Sequence, residues 1–311
     1  MISSKKKFLK RIWSGIIVSI FSVIIASFLV TKVVYDSTFT RYDVIPEVPS
    51  ALNEMIDSRR SVKFLSGKNE LNGYLYTAND DGLVVLAPGY HASVDDYLWQ
   101  IKSLNDKGWS VFCFDTTGSC LSEGSSSVGF SQAVYDLRNA LDYLKSNDNF
   151  GYRSVYLLGH SRGGYAVCGA LDKGYDIKAA VTISAVNSSM DAIIQPVESK
   201  IGKLAYINYP FLSMYQASLF GDEVANINAA NEVAVSGVPV LIVQGSADDK
   251  YTKDRYSLYA HSIKNRHSNV EYYICDEKGK NGHTSILFEQ GGKQANQDLM
   301  DEIDRFFKQN K

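Results

Sequence analysis

The chain has 311 residues, 45% of them hydrophobic and 21% charged, with a formal net charge of −2. That balance excludes a disordered chain, which is poorer in apolar residues, and a broad basic surface for nucleic acid. The length suits one large α/β domain or two small ones.

Residues 12–31 (IWSGIIVSIFSVIIASFLVT) carry no charge. About twenty helical residues, at 1.5 Å each, cross the roughly 30 Å hydrocarbon layer of a bilayer. Lys5, Lys6, Lys7, Lys10 and Arg11 stand directly before them, and basic residues keep their end in the cytoplasm. The expected organisation is a cytoplasmic basic segment 1–11, a transmembrane helix 12–31, a stalk 32–58 and a domain 59–311. The domain then lies outside the cell membrane, on a single-pass anchor. Trp13 and Tyr35 suit the two interfaces. A cleaved signal peptide is the competing reading, but its apolar region runs about 7–15 residues and ends at a small-residue site. A buried core helix is the third.

Ser61–Ser66 and Leu71–Thr77 read as a hairpin around Gly67-Lys68-Asn69. Leu83–Ala87, ending in Pro88-Gly89, is an apolar run of strand length. Val94–Asp106 has helical spacing and Ser110–Phe114 is the next strand. In Gln132–Lys145, Val134, Leu137, Ala140, Leu141 and Leu144 share one helical face. Strand 154–158, helix 163–171, strands 177–184 and 239–244, helix 256–263, strand 270–275 and a last helix from about 294 to 307 complete the alternation. Strands alternating with helices imply a parallel sheet covered on both faces. Residues 187–237 interrupt the pattern with Leu204, Tyr206, Tyr209, Phe211, Leu212, Met214, Tyr215 and Phe220. They read either as a cap inserted between two strands or as helices packed on the sheet.

Four cysteines, Cys113, Cys120, Cys168 and Cys275, match no zinc spacing. They read as buried thiols, with a Cys113–Cys120 disulfide as the alternative in an extracytoplasmic domain. No metal or organic cofactor is implied.

Gly159-His160-Ser161-Arg162-Gly163 is a G-x-S-x-G sequence between a strand and a helix. A turn that tight needs small residues beside the serine and leaves it exposed at the carboxyl edge of the sheet. The helix N-terminus then offers backbone N–H groups to a developing oxyanion. Serine is a weak nucleophile and needs a base. His283, after the last strand, occupies the right place. His160 is held inside the turn, His261 and His267 flank a distant helix, and His91 sits in another loop. Asp248 and Asp249 end the strand before it, on the same sheet edge, and Asp191 follows the preceding strand.

These features resemble the α/β-hydrolase superfamily over roughly residues 60–311. Asp115-Thr116-Thr117-Gly118 with Ser122 and Gly124 is similar to its D-x-x-G-x-x-x-S-x-G loop, Gly245-x-x-Asp248 to its acid turn and Gly282-His283 to its histidine loop. The resemblance implies a mostly parallel sheet of about eight strands with helices on both faces and a short helical cap. It selects Asp248 over Asp249 and implies a Ser161, Asp248, His283 triad. Leu86-Ala87-Pro88-Gly89-Tyr90 is similar to the family's oxyanion loop, with Pro88 where histidine is common. The backbone N–H groups of Tyr90 and Arg162 are then the expected oxyanion donors. Within the superfamily the pattern resembles membrane-anchored bacterial esterases and lysophospholipase-like or serine-aminopeptidase-like hydrolases. The leading expectation is ester hydrolysis through an acyl-serine, on a small-molecule ester or acyl substrate. A peptidase or amidase on the same triad, and a non-catalytic binding module, are the alternatives.

Overall fold

The computed structural model describes residues 2–78, 82–147, 154–171 and 173–311. Its strands are β1 (Arg60–Ser66), β2 (Asn69–Tyr76), β3 (Leu83–Ala87), β4 (Ser110–Phe114), β5 (Val155–His160), β6 (Ile177–Ile183), β7 (Val240–Gly245) and β8 (Val270–Cys275). They form one sheet in the order β1-β2-β4-β3-β5-β6-β7-β8. Pairing is antiparallel across β1, β2 and β4 and parallel in the rest. The expected sheet, with the first hairpin as its antiparallel edge, is therefore present.

The helices are α1 (Ile2–Thr38), α2 (Asn53–Ser58), α3 (Leu98–Asp106), α4 (Gln132–Ser146), α5 (Arg162–Ala170), α6 (Ser189–Ile201), α7 (Tyr209–Ala225), α8 (Ala229–Ser236), α9 (Leu258–Ser262) and α10 (Gln297–Gln309). They cover both sheet faces, so the central strands are apolar on both sides. Leu83, Val85 and Ala87 of β3 face a layer holding Val134, Leu137 and Val167 of α4 and α5. Val84 and Leu86 face the other layer, with Ile101 and Leu104 of α3 and Ile303 and Phe306 of α10. The single helix expected over 94–106 divides at Tyr97 into a 3-10 turn and α3, the turn opened by a capping box between Ser93 and Asp96. All four cysteines are buried free thiols, so Cys113 and Cys120 do not pair.

Residues 187–237 divide between the two readings. α6, a 3-10 stretch over Gly202–Asn208 and α7 cap the sheet edge, whereas α8 buries Ala229 and Val233 in the core layer.

The N-terminal region differs from a helix plus stalk. One helix long and apolar enough to cross a membrane runs over Lys10–Thr38, beyond the expected end at 31. Its last turns and the segment after it pack on the domain: Tyr35, Phe39 and Leu52 are buried. Tyr42 donates its N–H to Gly118 O at 3.0 Å and accepts from Cys120 N–H at 2.7 Å, and Arg41 Nη1 donates to Ser122 O and Gly124 O at 2.9 and 2.8 Å. The segment expected to be a stalk is thus stitched to the loop after β4. The cause is composition: Tyr35, Phe39, Tyr42 and Leu52 are large apolar surfaces that a solvated spacer would leave in water.

Candidate active site

β5 ends at His160 and α5 begins at Arg162, which leaves a single residue for the reversal. Ser161 makes it with φ 55° and ψ −116°, a conformation that costs an L-residue about 1–3 kcal/mol. Ser161 N–H donates to Ile183 O at 2.8 Å and Ser161 O accepts from Tyr165 N–H at 3.2 Å, which holds the turn. A Cβ on Gly159 would lie 2.3 Å from Gly163 O, and one on Gly163 would lie 1.9 Å from Ala87 O. The two glycines therefore let the elbow close on itself and on β3.

β7 delivers Asp248 and the loop after β8 delivers His283 to this edge. His283 Nε2 is 2.9 Å from Ser161 Oγ, and its Nδ1 is 3.0 and 3.1 Å from the two Asp248 oxygens. A carboxylate only accepts, so Nδ1 carries the proton, Nε2 is the bare acceptor and the serine hydroxyl donates to it. Burial works to raise the Asp248 pKa, but the hydrogen bond and charge of His283 and the N–H groups of Tyr251 and Lys250 outweigh it and leave it lowered. Those two N–H groups lie 2.9 Å from Oδ1, and Gln244 Nε2 donates to Oδ2 at 3.1 Å. The acid is thus fixed as an anion beneath the imidazole.

A second chain of bonds stands beside the first. His160 Nε2 lies 3.0 Å from the backbone O of His283, and Nδ1 lies 2.9 Å from Tyr97 Oη. The carbonyl can only accept, so Nε2 carries the proton and Tyr97 donates to Nδ1. Tyr97 Oη in turn accepts from Gly89 N–H at 2.8 Å. Burial and the neighbouring His283 hold His160 down at about 3, so it stays neutral. This chain ties the Gly89-Tyr90 loop to the His283 loop through the elbow. Neither Tyr97 nor His160 stood out in the sequence as part of the site: the one is an apolar-stripe residue of a helix, the other faces away from Ser161.

Arg162 is buried, with Nη2 donating to Thr116 Oγ1 at 2.7 Å and its guanidinium 5.3 Å from the Tyr90 ring centroid. Tyr90 Oη–H donates to Thr38 O at 2.6 Å, so α1 also touches the expected oxyanion loop. Arg162 opens α5, where first-turn N–H groups have no helical acceptor.

Two cavities meet at Ser161 and His283. The larger, about 600 Å³, is mostly apolar, with Val34, Phe130, Ile194 and Leu212 among its walls. The smaller, about 180 Å³, is bounded by Gly89, His91, Asp96 and Phe288. Tyr90 borders both.

The other candidates stand apart. Asp249 is exposed. Asp191 begins α6, accepting from Ser188 Oγ–H at 2.7 Å, with burial raising its pKa. His91, at φ 53°, stacks on Tyr90 and Tyr42 at 3.9 and 4.9 Å. His261 Nε2 bonds Arg255 O at 2.8 Å, and His267 is exposed.

Sheet order, elbow and cap are those of the α/β-hydrolase fold. The profile of the serine aminopeptidase S33 family matches residues 78–220. No curated protein matches the chain in sequence. Among solved structures, the Pyrococcus furiosus esterase Pf2001 superposes with a TM-score of 0.64 at 18% identity, covering 87% of this chain and 98% of the other. Est1E of Butyrivibrio proteoclasticus, solved with ferulic acid bound, gives 0.60 at 16% identity over 80% and 98%. Proline iminopeptidase of Mycobacterium smegmatis gives 0.53 at 11% over 81% and 98%. At such identities the likeness is one of fold.

Proposed function

We propose that the protein is a serine hydrolase that cleaves carboxylic esters. The observation that carries this reading is the unbroken line of hydrogen bonds from Ser161 through His283 to Asp248. Ser161 Oγ attacks the ester carbonyl while His283 Nε2 takes its proton, and Asp248 stabilises the imidazolium. The N–H groups of Tyr90 and Arg162 receive the oxyanion. The tetrahedral adduct collapses, His283 protonates the leaving alkoxide, and an acyl-serine remains. Water, deprotonated by His283, then attacks the acyl carbon, and collapse releases the acid and restores Ser161.

An ester is favoured over a peptide because a peptide with a free amine wants a carboxylate in the pocket. Asp96 is the carboxylate among the described walls of the two cavities, and it accepts from Ser93 N–H at 2.7 Å and Ser93 Oγ at 2.9 Å. The S33 profile keeps the aminopeptidase reading as the comparison to beat. The same proposal places α1 across the cell membrane, the basic N-terminus in the cytoplasm and the domain outside.

The test is a panel of p-nitrophenyl esters against aminoacyl anilides, with fluorophosphonate labelling of Ser161. Esters are expected to turn over and anilides not. Ser161→Ala should lose labelling and keep only about 10³–10⁴ over the uncatalysed rate. Faster anilide cleavage, or near-wild-type activity in Ser161→Ala, overturns the assignment.

A further inference from the structure

The larger cavity has one wall that a simple anchor would not need to provide. Val30, Thr31, Val34, Tyr35 and Thr38 of α1, and Phe39 directly after it, all line it. The helical ones, spaced one, four, five and eight residues beyond Val30, form a single stripe along α1. The facing wall comes from the cap, with Ile194 and Ile201 of α6, Leu204 of the 3-10 stretch and Leu212 of α7. Ser161 and His283 lie at the same cavity. α1 is fixed against the cap by an edge-on contact of Phe28 with Tyr215 at 5.9 Å, and by the Tyr215 hydroxyl donating to Asp36 at 2.6 Å.

The height of this cavity relative to a bilayer follows from the sequence. If the hydrocarbon layer begins at Ile12, after the basic cluster, about twenty residues bring its far boundary to Thr31. The lining stripe starts there, at Val30, and runs outward to Phe39. The cavity therefore stands at the boundary between acyl chains and headgroups. Around it the cap turns apolar residues outward: Ile207 is 67% exposed and Met214 61%. Water does not favour such a patch, and an interface that takes up the apolar face of a helix does.

We propose that α1 is a wall of the acyl-binding cavity as well as an anchor, and that the substrate is a long-chain acyl ester lipid. The lipid passes sideways from the outer leaflet between α1 and the cap, so its chain goes from one apolar surrounding to another without crossing water. This proposal rests on the serine-hydrolase reading above and adds the substrate class to it.

The experiment uses the full-length chain in phosphatidylcholine vesicles. The probes are monopalmitoylglycerol and palmitoyl lysophosphatidylcholine, which share the acyl chain and differ in headgroup, and p-nitrophenyl acetate. Val34→Trp, on the lining stripe, is expected to lower the ratio of palmitoyl to acetyl kcat/KM at least tenfold. Val33→Trp, on the outward face, is expected to leave that ratio as it is. In Ser161→Ala, a palmitoyl ester with a diazirine at the chain end should crosslink to Ile194 or Leu212, which are buried from bulk lipid at 5% and 6% exposure. Acetate turnover without palmitoyl turnover, an unchanged ratio in Val34→Trp, or crosslinks confined to the outward face of α1 overturns the proposal and leaves the serine hydrolase standing. Absence of fluorophosphonate labelling and of all ester turnover overturns the hydrolase reading itself, and the lipid proposal with it.

Discussion

Backbone strain at Ser161 is what lifts its hydroxyl clear of the sheet, and the residues around it decide which groups are charged when the hydroxyl reacts. Asp248 holds its anion through two backbone N–H groups, Gln244 and His283. Replacing it by the amide keeps the shape and removes the charge that stabilises the imidazolium. Asp248→Asn should therefore lose about 10⁴ in kcat on one ester, while Asp249→Asn and Asp191→Asn stay within about tenfold. Collapse of either of the latter with Asp248→Asn nearly intact would reassign the acid. A second buried carboxylate behaves oppositely. Burial pushes Asp115 up to about 6, against the N–H of Val94 that favours its anion. With the folded pKa above the unfolded value near 3.9, the folded state binds the extra proton between roughly pH 4 and 6, so stability falls as pH rises through that window. Asp115→Asn removes that loss. Its Tm relative to wild type is expected to shift in the variant's favour between pH 4 and pH 8, and a constant difference across that range counts against the burial argument.

At the scale of elements, the site is a convergence of loops held by side chains that do no chemistry. The turn after β3, the elbow after β5 and the loop after β8 are joined through Gly89, Tyr97, His160 and His283. Without the His160 ring, the His283 carbonyl and the Tyr97 hydroxyl lose buried partners, at about 1–3 kcal/mol each. His160→Phe is expected to lower kcat about ten- to a hundredfold with less change in KM. His160→Gln, whose amide can still donate to the His283 carbonyl, should recover much of that loss. Equal kcat in the two variants would mean that His160 only fills space. The elbow glycines belong to the same scale: their missing Cβ atoms permit the contact of elbow and β3.

For the whole molecule, the last turns of the N-terminal helix and the segment after it are part of the folded body. Tyr35, Phe39 and Leu52 are buried against the domain, and burying a large apolar side chain is worth about 1.5–3 kcal/mol. A chain beginning at Ser58 exposes the surface they cover. Its Tm is expected to fall on the order of 10 °C below that of the detergent-solubilised full chain. Equal Tm values would show that the segment is a loose tether after all. Legibility from sequence divides along the same line. The apolar runs, the helical stripe of α4, the charge-free span and the G-x-S-x-G turn are local patterns, fixed by side-chain periodicity and steric demand within a few residues, and they determined the sheet, the long apolar N-terminal helix and the position of Ser161. His283 was legible from its place after the last strand, and the strand before it narrowed the acid to Asp248 and Asp249, between which only the resemblance chose. Tyr97, His160 and the α1 wall were not, since their roles depend on partners 63, 123 and more than a hundred residues away in the chain. Only the tertiary structure decides such meetings, because burial and hydrogen bonding act on whatever the fold brings within a few ångströms, regardless of sequence distance.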